Sequence, residues 1–111
     1  MKIPESTKRS LHLTLVERQR DRWPGLHDVR VRYRGSFAYV DGILHDGEAL
    51  PLCRLRYGGD AAFFGFAIYR ASHDDYEDSV LPDGSFDATP DEALDCACAL
   101  YLGDFAGWPT N

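Results

Sequence analysis

Arginine recurs at alternate positions in two stretches of this chain: Arg30, Arg32 and Arg34 in one, Arg54 and Arg56 in the other. Successive side chains of a strand point to opposite faces, so each set shares one face if its stretch is extended. If the two strands flank a third in a meander, five guanidiniums lie together, with Tyr39 or Phe37 from the middle strand between them. Cations that track phosphates and rings that stack bases are the surface of a single-strand nucleic-acid binder. The same side chains also suit a protein partner. In a third reading they pair with the chain's own carboxylates or stay solvated, as most exposed charges do. The ribonucleoprotein consensus of the best-known sheet binders is absent.

A second cluster is acidic: His73, Asp74, Asp75, Tyr76, Glu77 and Asp78 set four carboxylates and an imidazole side by side. Hard oxygen donors at this density suit Ca²⁺ or Mg²⁺, and with a bound ion the cluster would be the centre of a small metal-dependent enzyme. Further on, Asp83, Ser85, Asp87, Thr89 and Asp91 alternate like the ligands of a calcium loop. Ala88 stands where that loop needs its glycine and Leu94 where it needs a bidentate glutamate, so no metal site is assigned.

The remaining reactive types do not assemble into a motif. Cys96 and Cys98 lack the redox or zinc spacing and point about 200° apart on a helix. Together with Cys53 they read as small core hydrophobes. His12, His27, His45 and His73 have no ligand spacing, and no glycine-rich phosphate loop is present. No catalytic residue and no cofactor is assigned, and the balance leans away from an enzyme.

These candidates need a scaffold. Thr14-Leu15-Val16-Glu17 has the form of a capping box, which predicts a short helix ending at Pro24-Gly25, with residues 1–10 a flexible segment. Alternation of Leu11, Leu13 and Leu15 leaves a strand open there instead. Four strand-like runs follow: 27–34, 37–44 with a bulge at Asp41-Gly42, 50–57, and 62–70, which is apolar enough to be central. Asp46-Gly47 signals a hairpin. After a long acidic loop over 71–88, Thr89-Pro90-Asp91-Glu92 opens a nearly apolar helix, broken by Asp95, that stops at Gly103. The expected architecture is α+β: short helix, four-stranded antiparallel meander, acidic loop, and a C-terminal helix on one sheet face, in a single domain over 11–111.

Several of these stretches resemble, as a set, a family of small uncharacterised bacterial proteins. They are Arg34-Gly35-Ser36-Phe37-Ala38-Tyr39-Val40, Leu50-Pro51-Leu52-Cys53-Arg54-Leu55-Arg56-Tyr57-Gly58-Gly59, Gly65-Phe66-Ala67-Ile68-Tyr69-Arg70-Ala71-Ser72, Tyr76-Glu77-Asp78-Ser79 and Glu92-Ala93-Leu94-Asp95-Cys96-Ala97-Cys98. The likeness spans most of residues 23–103. It implies a single bacterial cytoplasmic domain and no particular activity, cofactor or site residue.

Composition narrows the rest. The 111 residues are 44% hydrophobic, which is enough for one packed core and too little sequence for two domains. Three cysteines fit a reducing cytoplasm better than a disulfide scaffold, and no apolar run has the length of a membrane span or leader. Charge is divided: residues 1–70 carry all 12 basic residues against 8 acidic ones, while 71–111 carry 10 acidic residues and no Lys or Arg. Such halves either neutralise one another or each face a partner. With a net charge of −6, the reading favoured is a non-enzymatic protein-interaction or self-associating module. Nucleic acid is the alternative through the arginine face, and a metal-dependent enzyme through 73–78 comes third.

Overall fold

A computed structural model describes residues 2–79, 81 and 84–102. Its order is α1 (Glu5–Arg22), β1 (Leu26–Arg34), β2 (Phe37–Leu44), β3 (Ala49–Tyr57), β4 (Phe64–Arg70), β5 (Asp75–Asp78), β6 (Asp87–Ala88) and α2 (Pro90–Leu102). This is the expected α+β architecture with one extension. The antiparallel path runs β1-β2-β3-β4-β5, and β6 pairs with the free end of β4. Part of the expected 71–88 loop is therefore strand. The helix stop at Gly103 and the Asp83 end of the calcium-like run lie outside the described residues.

Helix α1 starts earlier than its sequence suggested. Residues 5–10, expected to be flexible, form its first turns, and Ile3 just before it is 3% exposed. The buried residues Ile3, Thr7, Leu11, Leu15 and Gln19 recur every four positions, which is one stripe of a helix. Thr14 and Glu17 are consequently interior, where backbone amides already bond within the helix, and they form no cap. Leu13 is 59% exposed, the outcome for a helix and not for a strand with three leucines on one face. At the far end, the buried Gln19 side chain donates to the carbonyls of Trp23 (3.2 Å) and Leu26 (2.7 Å), tying the helix exit to β1.

Helix α2 begins as predicted. Thr89 N–H donates to Glu92 Oε1 at 3.0 Å, and Glu92 N–H to Thr89 Oγ1 at 3.2 Å, a reciprocal capping box. Both helices pack on one side of the sheet and on each other. Between them Leu15, Leu94 and Cys98 meet Val29, Val40, Leu52, Leu55 and Phe64 from the strands, all at most 2% exposed.

Two irregularities shape the sheet. His27 is extra between β1 and β2, and Leu52 is extra opposite the Val40–Asp41 step. The bulge expected at Asp41-Gly42 thus falls one step earlier, with its additional residue on β3, which lets the consecutive Leu52 and Cys53 both be buried. Gly42 is needed for close approach, since a Cβ there would stand 2.8 Å from Leu26 Cδ2. The Asp46-Gly47 hairpin closes through a Gly47 N–H bond to Leu44 O at 2.9 Å, with Gly47 at φ 91°.

Candidate binding face

The opposite side of the sheet carries no helix among the described residues, and pairing register orders its side chains into rows. One row reads Arg34, Phe37, Arg56, Gly65, Asp87 across β1, β2, β3, β4 and β6. The next reads Arg32, Tyr39, Arg54, Ala67, Asp78 across β1 to β5. All five predicted arginines and Tyr39 therefore share this face. Phe37, weighed as the alternative to Tyr39, lies there with it.

Rings and guanidiniums interlock. Arg54 sits over the Phe37 ring at 4.6 Å and the Tyr76 ring at 5.6 Å, and Arg32 over Tyr39 at 5.5 Å. Tyr76 stands edge-on to Tyr39 (5.4 Å between centroids) and to Tyr69 (5.3 Å). At the Arg54 and Arg56 end of this ladder β4 presents the small residues Gly65 and Ala67. They floor a cavity of ≈ 140 Å³ between Arg54 and Arg56 on one side and Asp78, Asp87 and Phe86 on the other. At Gly65 a Cβ would lie 3.1 Å from Arg56 Nη2, so a side chain there would press the exposed guanidinium aside. Phe86 is 77% exposed at the rim.

Part of the positive charge is compensated. The carboxylate of Asp41, whose side chain is 3% exposed, accepts from Arg30 Nη2 at 3.0 Å and Arg32 Nε at 3.1 Å. The bond to Asp41 raises the pKa of Arg32 beyond its already high value. Arg54 meets Asp78 at 3.6 Å, and off this face Arg18 binds Asp95 at 2.5 Å, so the two halves of the chain do neutralise one another in places. Arg34 and Arg56 have no carboxylate partner among the described residues.

The acidic cluster is not brought to one point. His73 and Asp74 occupy the turn after β4, where Asp74 (φ 50°) accepts from the Tyr69 hydroxyl at 2.5 Å. That bond pushes the Tyr69 phenol up to about 12. From Asp75 the pleat divides the rest: Tyr76 and Asp78 face the arginines, Asp75 and Glu77 the other side. Among the described residues no three potential ligands are grouped to hold a metal. Sequence reasoning missed Asp41, Tyr69 and Phe86. The parity of β2, which places Asp41 with Phe37 and Tyr39, was the available signal for the first.

Protein-family models, curated proteins and solved structures were compared with this chain, and none matches. The face must be read from its geometry. No helix among the described residues is long and apolar enough to cross a membrane.

The thiols lie on the other side, in or beside the core. Burial raises all three, Cys98 to about 12 and Cys53 further still, so none is an activated nucleophile. A thiol that stays protonated in the native state while ionising in the unfolded one stabilises fully below the unfolded pKa near 9. That contribution is lost as pH rises toward the native value. Unfolding free energy should therefore fall between about pH 9 and 11, by up to about 1.4 kcal/mol per pH unit for each fully protected thiol. Urea titrations across that window check this, and Cys98→Ala should flatten the slope. An unchanged slope in Cys98→Ala would show that this thiol is not the source.

Proposed function

We propose that this protein is a non-enzymatic binding module that docks a protein partner on the helix-free face of its sheet. The observation that carries the reading is the composition of the two rows. They combine arginine, aromatic rings and small residues, without lysine, and end in carboxylates. Arginine and aromatic residues are enriched at protein interfaces and supply most hot spots, while lysine is depleted there. In each row the carboxylate, Asp78 or Asp87, stands two strands from the arginine of β3, across Ala67 or Gly65. Such a face suits a partner of mixed charge better than a uniformly negative phosphate backbone.

The test pairs Arg34→Ser/Arg56→Ser with wild type. Both arginines lack a carboxylate partner and are exposed, so the fold is expected to survive. A partner recovered by cross-linking from the source cell should bind the purified wild type and lose about tenfold or more in affinity to the variant. Equal affinity would overturn the reading. Fluorescence anisotropy with short single-stranded oligonucleotides is the second arm. Binding that falls steeply with salt and vanishes in the variant would replace the protein reading with a nucleic-acid one.

A further inference from the structure

A different surface carries a more specific inference. Strand β1 is an edge of the sheet. Nine residues long, it has β2 on one side and no described strand on the other, so half its backbone groups face outward. Along this edge a groove of ≈ 790 Å³ opens between β1 and the first half of α1. Val29, Val31, Tyr33 and Ile43 supply its apolar lining, and Lys8, Arg9, His12 and Arg30 its basic one.

Of the acidic residues in the groove, Glu5 is paired with one of the cations, Lys8, at 3.3 Å, and Asp28 keeps its charge while its carboxylate accepts from the amide of its own backbone neighbour Val29 at 2.8 Å. Arg9 and His12 are exposed, with no partner among the described residues. On the far side of the strand the unpaired Arg34 continues the positive charge. Charge at an edge also guards against indiscriminate pairing: three arginines on β1 oppose a β1–β1 contact between two copies, where like charges would face. What this edge selects is therefore a strand of opposite charge.

We infer that the β1 edge is a strand-addition site for an extended peptide of alternating acidic and aliphatic residues. Main-chain hydrogen bonds to β1 hold it. One set of side chains covers the half-buried Val31 and Tyr33 in the groove, and the carboxylates meet Arg30, Arg32 and Arg34 on the other face. The site shares the β1 arginines with the open sheet face, but its main-chain bonds and groove contacts are to the edge and to α1, so protection of the residue 26–34 amides separates the two readings.

The probe is a fluorescein-labelled hexapeptide alternating aspartate and valine, with a lysine–valine hexapeptide as its counterpart. Anisotropy reports affinity, and amide hydrogen exchange reports location. Saturable binding of the aspartate peptide is expected, with exchange in residues 26–34 slowed about tenfold or more at saturation. Arg9→Glu/Arg34→Glu should weaken that peptide about tenfold or more and bind the lysine peptide better than wild type does. Arg20→Glu, which repeats on α1 outside the groove the charge change of Arg9→Glu alone, should leave it unchanged. Three results would overturn the inference: no binding at roughly 1 mM peptide, binding without protection of residues 26–34, or equal affinity in the reversed variant.

Discussion

Asp95→Ala should lower the free energy of unfolding by about 3 kcal/mol in a urea titration, the expectation for removing one partner of a largely buried ion pair. The carboxylate accepts from Arg18 Nη2 at 2.5 Å and Nε at 3.1 Å, and from the indole N–H of the buried Trp23 at 2.8 Å. Alanine removes the acceptor for both, leaving Arg18, whose side chain is 27% exposed, to recover only part of its hydration. Asp95→Asn keeps an oxygen for Trp23 and loses the charge, so it should fall between wild type and alanine. The double variant Arg18→Ala/Asp95→Ala should lose less than the two single losses added together, because the second deletion no longer strands a charge. A loss under about 1 kcal/mol in Asp95→Ala would show that the pair is effectively solvated.

The second large effect is Leu94→Ala, one position earlier and facing the sheet. Leu94 is 0% exposed, so truncation deletes buried methyl groups and leaves a cavity between α2 and the strands. The expected cost is about 3–4 kcal/mol, with an unchanged denaturant slope. For a domain of this size that corresponds to a fall in Tm of roughly 12–30 °C. A loss below about 1 kcal/mol would mean that the helix does not seat in the core. The two variants differ in a useful way: hydrophobic refilling, as in Leu94→Met, should recover most of the second loss and has no counterpart for the first.

What could be read in the sequence was local. Alternation put Arg30, Arg32 and Arg34 on one face of β1 and Arg54 and Arg56 on one face of β3, while their sharing one side of the sheet depended on the register through β2. The Thr89–Glu92 box marked the start of α2 because all its partners lie within four residues. The same local logic failed at Thr14 and Glu17, which have the right types and spacing but sit inside a helix whose start is set by Pro4 and the buried Ile3. Strand β5 was illegible for a different reason. Three of its four residues are acidic, and what places it is Tyr76 seated between Tyr39 and Tyr69, rings brought from two other strands. Asp95 stood out as the one charge in the apolar run from Ala93 to Leu102, but nothing near it named Arg18, 77 positions away.

That separation has a consequence for the order in which the molecule assembles. Every pairing on the main path of the sheet joins strands adjacent in the chain, so the meander can zip up through short loop closures. The seam between α1 and α2 instead closes nearly the whole chain, and it repays that entropy only when both helices have a surface to rest on. Docking of α2 is accordingly expected to be the late event, native in the product and weakly formed at the barrier. Asp95→Ala should then act almost entirely by speeding unfolding in stopped-flow experiments, with refolding close to the wild-type rate. A variant that instead refolded several-fold more slowly would make the seam part of the nucleus. In kinetic terms this pair is a latch: it sets how long the folded molecule lasts and has little say in how quickly it forms.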